Sequence, residues 1–273
     1  PDSGVVNYED TTATWTFTAD KKPVTATVTA EDKDYDGNAT ATVHAEVKNG
    51  VLAGDVITIT GLTGTFDNAN AGVGKTVTVN KTGATISGNN SEHYEVSYST
   101  TTVQATIHKA VAKITTAPVP ASLTYNGTAQ ALIGTAAVVD PADVPVEYAL
   151  NENGPYSTAS PTGTNAGAYT VWYRVQETPN YTGLAPASVD VTIDKKPVSP
   201  TITLDESTFT YDGTAKKPVV TLYEDNTQAV EIPAGEYTVA YSGNVNVGTA
   251  TVTVTAKDGG NYSFTPVTKN FTI

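Results

Sequence analysis

The stretch EDKDYDGNAT, residues 31–40, admits two readings that lead to different proteins. Asp32, Asp34 and Asp36 fall at alternate positions, and Gly37 follows where a calcium-binding loop needs its sharp bend. With Asp32 as loop position one, however, the bidentate acid due at position twelve is Val43, flanked by Thr42 and His44. Two further stretches keep the centre of the motif and lose the upstream acids: SLTYNGTAQ (122–130) and TFTYDGTAK (208–216). What recurs is a tyrosine and a turn, at Tyr35-Asp36-Gly37, Tyr125-Asn126-Gly127 and Tyr211-Asp212-Gly213. Asp-Gly and Asn-Gly favour a tight hairpin because both residues tolerate positive φ. The stretch therefore reads as a turn between strands. Its ring is expected to pack at the end of a β-sandwich, with the hydroxyl on a backbone partner. The sequence calls for no metal and no cofactor; were a cation bound, Asp32, Asp34 and Asp36 would be its ligands.

Outward from these turns, other signals recur in the same order. An Asn-x-Gly turn appears at Asn70-Ala71-Gly72, Asn165-Ala166-Gly167 and Asn246-Val247-Gly248. Each leads into an alternating strand: KTVTV, AYTVWYRV and TATVTVTA. A tyrosine follows, at Tyr94, Tyr181 and Tyr262, and then a closing strand. Internal repetition of this kind fixes the domain plan. Three β units span 22–110, 111–196 and 197–273, each of ordinary size for a small sandwich domain. Residues 1–21 read as the closing strands of a preceding, truncated unit. Asn7-Tyr8 carries the tyrosine signal there, and Trp15–Ala19 the closing strand. The chain thus looks cut from a longer array. Lys-Lys-Pro-Val at 21–24 and at 195–198 marks two joints, where proline holds the preceding residue extended.

Composition agrees. The 273 residues include 49 Thr and 33 Val against 8 Leu, a bias toward β-branched residues that suit strands. Segments such as VTATVTA (24–30) and TATVTVTA (249–256) alternate with period two, one face to a core and one to water. No apolar stripe of helical period is evident. The Ala-rich region 133–154 would admit one helical turn, limited by Pro141 and Pro145, so a β-grasp-like second unit with one helix stays open. A net charge of −13 and a pI near 4.5 argue against nucleic acid and against an anionic membrane surface. No apolar run is long enough to span a membrane. With no Cys there is no disulfide, thiol nucleophile or zinc–thiolate site.

The first unit, with DKDYDGNATATV, GDVITITG and FDNANAGVGKTVTV, resembles the YDG-type repeat of large bacterial surface proteins. The second, with LTYNGTAQAL and PTGTNAGAYTVWYRVQETPNYTG, is similar to MBG-type repeats. The third, with FTYDGTAKKPVVTL and YTVAYSGNVNVGTATVTVTAKDGGNYSF, is similar to related repeats of cell-surface proteins in gut Firmicutes. The resemblance covers nearly the whole chain. It implies an extracellular, adhesin-like protein of the bacterial cell surface, in which repeats build a stalk or adhesive array. It carries over no catalytic residue.

The residues themselves offer little chemistry. His44, His93 and His108 are isolated, and no nucleophile elbow, zinc-protease motif or phosphate loop is present. AGVGKT (71–76) leads into a strand, not a helix. Glu31/Asp32 and Glu224/Asp225 are sequence neighbours at turns, unlike the paired acids of a glycosidase cleft. A Lys–Asn isopeptide cross-link finds no clear spacing around Lys113 or Asn270. For binding, period two in AYTVWYRV (168–175) puts Tyr169, Val171, Tyr173 and Val175 on one face. Trp172 and Arg174 fall on the other, as candidate ligand-binding residues for a host glycan or protein.

The expected fold is all-β: tandem small, Ig-like β-sandwich domains in an elongated, monomeric array. The expected function is a non-catalytic stalk or spacer. The alternative is a carbohydrate- or host-protein-binding repeat array, with the second domain the favoured binder.

Overall fold

The computed structural model describes residues 12–273; the Asn7-Tyr8 signal lies outside them. Among the described residues there are strands and two single-turn 3-10 segments, Ser91–His93 and Ala234–Glu236, and no α-helix. The fold is all-β, as the composition requires. No helix is long and apolar enough to cross a membrane, among the described residues. The region 133–154 holds short strands where one helical turn was open. Residues 12–21, where a preceding unit's closing strand was expected at Trp15–Ala19, form no strand here, and Trp15 and Phe17 are largely exposed. A strand needs a neighbour for its backbone groups, and none pairs with this segment among the described residues.

Contacts divide the chain into two compact units, one ending at Ala110 and one running Val111–Ile273. The first unit begins with β1 (Lys22–Ala30), β2 (Lys33–Asp34), β3 (Thr40–Ala41) and β4 (Val43–Glu46). It continues through β5 (Thr58–Thr60), β6 (Thr63–Phe66), β7 (Gly72–Asn80) and β8 (Thr85–Ser87), and ends with β9 (Tyr94–Tyr98) and β10 (Thr102–His108). One sheet has the order β4-β1-β9 and the other β2-β10-β7-β6-β3; β5 and β8 pair separately. Alternation in β1 sends Val24, Ala26 and Val28 inward and the intervening Thr outward. Val28 joins Val43, Phe66, Val77, Val79 and Ile107 in the core between the sheets.

The Tyr35-Asp36-Gly37 turn is not a hairpin. β2 runs parallel to β10, and β3 pairs with β6, so Tyr35-Asp36-Gly37 links strands at opposite edges of one sheet. Gly37, Gly127 and Gly213 have φ of 80°, 79° and 79°, so the three turns share one left-handed glycine. An Asx contact follows each: the carboxamide or carboxylate of Asp36, Asn126 and Asp212 accepts the backbone N–H two residues on, at 2.9–3.0 Å.

The second unit contains the second and third repeats, each with cores of its own. In the second, a sheet runs in the order Leu123–Thr124, Leu184–Asp194, Gly167–Val175, Val146–Ala149. Leu132, Tyr148, Val171, Val191 and Ile193 are buried on one side of it, and Ala112, Val139, Val144 and Val175 form a smaller cluster. In the third, the antiparallel sheet Thr201–Leu204, Val220–Tyr223, Glu231–Ile232 is joined by a second antiparallel sheet, Tyr237–Ser242, Thr249–Ala256, Val267–Thr272. Ile202, Leu222, Ile232, Val252, Val254 and Phe271 share one core between them.

Candidate functional site

The residues proposed from sequence as ligands separate in space. Asp32 accepts the Thr106 N–H (2.6 Å) and lies 3.8 Å from His108. Asp36 pairs with Lys33 (2.7 Å), and that ammonium together with the Asn38 N–H holds its carboxyl below the usual carboxylate range. No group of three or more His, Cys, Asp or Glu converges on a cation position among the described residues.

Trp172 and Arg174 do lie on the face opposite the core, half-buried, while Tyr169, Val171, Tyr173 and Val175 face the core side. Arg174 is already engaged. Its Nε and Nη2 donate to Glu147 Oε2 at 3.1 and 3.0 Å, across the strand pair Val146–Ala149 and Gly167–Val175. Its guanidinium stacks 4.1 Å from the centre of the Tyr156 ring. Tyr156 in turn donates to the Glu152 carbonyl at 2.7 Å. This arrangement pins the 151–160 loop over the outer face and leaves less of the Trp172–Arg174 surface to a ligand than period two alone suggests.

Lys75, unremarked in the sequence, is buried in β7 and closes the β6–β7 hairpin. Its Nζ lies 2.8 Å from Asp67 Oδ1 and donates to Asn68 Oδ1 at 2.7 Å. The ammonium holds Asp67 below the usual carboxylate range.

The most specific constellation is the joint between the second and third repeats. Tyr125, at the start of the second repeat's Tyr-Asn-Gly turn, packs against both cores: the cluster that holds Leu132, Val171 and Ile193 on one side, the third repeat's cluster on the other. Its ring meets Tyr262 edge-on, with centroids 5.5 Å apart. Its N–H donates to the Asp194 carbonyl (2.8 Å), which anchors it to the strand that leads into the joint. Beside it, Asn261 is buried and bonds to both repeats. Oδ1 accepts the Ala166 N–H at 2.7 Å. Nδ2 donates to Glu236 Oε1 at 2.8 Å, and the Asn261 N–H donates to Glu236 Oε2 at 2.5 Å. The third repeat thus fixes the asparagine, and the asparagine reads the second repeat's Asn-x-Gly turn. Gly260 makes room, since a Cβ there would stand 2.7 Å from Glu236 Oε2. Lys196 completes the joint: its N–H donates to the Asn261 carbonyl (2.9 Å) and its Nζ pairs with Glu224 (2.5 Å).

The same register recurs in the first unit. Lys22 pairs with Tyr94 in parallel strands, as Lys196 pairs with Tyr262. Tyr94 donates to Asp55 (2.6 Å) and accepts the Leu52 N–H (2.9 Å).

Burial, and then Glu224, push the Tyr262 phenol up from 10.0 to about 12. A raised phenol keeps its proton in the folded chain while the unfolded chain ionises. Its contribution is therefore complete below pH 10 and is lost as the pH rises toward 12. Tyr262→Phe is expected to flatten the loss of stability over that interval, measured as urea midpoints at successive pH values. An unchanged slope would remove Tyr262 from the account of the joint.

Residues 20–103 match the YDG domain family. Among solved structures, the chain is similar to Drosophila N-cadherin EC1-4, at 11% identity and a TM-score of 0.28, covering 92% of this chain and 75% of that one. It is also similar to Sidekick-1 immunoglobulin domains 1-5, at 13% identity and a TM-score of 0.27, covering 92% of this chain and 58% of that one. No curated protein matches it.

Proposed function

We propose that the chain is a non-catalytic spacer segment of a bacterial cell-surface, adhesin-like protein, in which tandem β repeats hold a distant binding part away from the cell. The observation that carries this reading is Tyr125, one side chain shared by the cores of two successive repeats. A spacer needs joints that resist bending, and a ring packed into both bodies, beside a buried asparagine bonded to both repeats, supplies that resistance. The YDG match at residues 20–103 supports the family resemblance of the first unit. Solvent faces rich in threonine and a charge of −13 suit an exposed array that does not self-associate.

The test sets this reading against the binding-array alternative. The full chain and its Trp172→Ala variant are screened on a glycan array. The spacer reading expects no specific glycan retained by either. A glycan bound by the parent and lost in Trp172→Ala would make the second repeat a binding module and overturn the proposal.

A further inference from the structure

The third repeat carries the same joint-forming surface that the second repeat uses, in an exposed state. In the second repeat that surface consists of the Tyr125-Asn126-Gly127 turn and the Asn165-Ala166-Gly167 turn, covered by Asn261 and Tyr262. Its counterparts are Tyr211-Asp212-Gly213 and Asn246-Val247-Gly248. The backbones agree closely: φ is 79° at both Gly127 and Gly213, 143° at Gly167 and 141° at Gly248. Thr128 and Thr214 each donate N–H to the preceding Asx side chain at 2.9 Å. The register agrees too. Gly167 pairs with Ile193, and Gly248 exchanges two backbone hydrogen bonds with Ile273. Exposure is what differs. Tyr125 and Ala166 are half-buried, whereas Tyr211 is 52% exposed and Val247 73%, with Val245 beside them at 40%. Large apolar side chains grouped at one end of a domain mark an interaction surface.

We propose that this face of the third repeat is a docking surface for the Asn-Tyr end of another such repeat, tethered directly after Ile273. Its occupant would place an asparagine Oδ1 on the Val247 N–H and a tyrosine ring against Tyr211, as Asn261 and Tyr262 do on Ala166 and Tyr125. The charge permits it. The docking end carries Glu236 and Glu224, and Asp212 on the receiving face is neutralised by Lys216 at 2.5 Å. Tethering is part of the proposal because so small a contact depends on high effective concentration. The inference stands on the joint's geometry and holds whether the array serves as spacer or as binder.

The test keeps the full chain and appends a second copy of residues 194–273 after Ile273, so that the copy's Asp194 follows Ile273 as it follows Ile193. Amide hydrogen exchange is read at the inner Val247. In the parent chain, Ala166 is expected to be protected and Val247 to exchange at least about tenfold faster. In the extended chain, Val247 slows about tenfold, and Asn261→Ala placed in the appended copy alone restores fast exchange. Three results overturn the proposal. The copy folds, with its own core amides protected, and Val247 is unchanged. The copy does not fold. Or the parent chain self-associates and Tyr211→Ala abolishes this, which would make a second molecule the occupant.

Discussion

Tyr125→Ala is expected to separate the unfolding of the second and third repeats. The ring packs into two cores and meets Tyr262 at 5.5 Å, so its removal opens a void at both surfaces and strips the T-shaped contact. Deleting a large aromatic from a core costs about 3–5 kcal/mol. A half-buried ring at a joint loses less than a fully buried one, about 2–3 kcal/mol. The probes are already present. The chain has two tryptophans, so Trp15→Phe leaves Trp172 as the sole reporter, and it lies in the second repeat. Exchange at Val252 and Val254, fully buried, reports the third. The parent should lose both signals at one urea concentration, and Tyr125→Ala should lose them at two. A single shared midpoint in the variant would place the coupling elsewhere.

The second large effect lies in the third repeat's core. Leu222 is fully buried on the central strand Val220–Tyr223, among Ile202, Ile232, Ala250 and Phe271. Leu222→Ala is expected to cost about 2–5 kcal/mol, since a small sandwich has little room to collapse around the cavity. Through the joint it should also lower the Trp172 midpoint, although Trp172 belongs to the other repeat. In the Tyr125→Ala background that remote shift should vanish. The two substitutions are then non-additive at the Trp172 probe, the mark of energetic coupling through shared contacts. Additive shifts at Trp172 would mean that the two cores are independent.

Period two made the strands legible. Val24, Ala26 and Val28 point inward, and the face opposite Trp172 and Arg174 is the core face, because alternation is a local property of extended chain. Glycine turn chemistry was legible for the same reason. The pairing of strands was not. Tyr35-Asp36-Gly37 reads as a hairpin in sequence yet joins opposite edges of a sheet, since partners are chosen by tertiary packing and not by the turn alone. Two equivalent tyrosines look alike in sequence but differ in surroundings: Tyr125 lies between two cores, and Tyr211 is exposed. The third repeat packed on Tyr125 makes that difference. Arg174 was legible as outward-facing, but its commitment to Glu147 and Tyr156 depends on the fold of the 151–160 loop. Lys75 carried no signal, because a buried lysine is recognisable only once its carboxylate partner is in place.

The stiffness of the joint is tested most directly by distance. The chain has no cysteine, so Ser188→Cys in the second repeat and Lys217→Cys in the third, both exposed, take spin labels cleanly. Pulsed electron resonance should return one narrow distance distribution in solution, broadened when Tyr125→Ala is added. A broad or multi-peaked distribution between the two labels with Tyr125 intact would contradict a rigid joint, and with it the spacer this chain is taken to form.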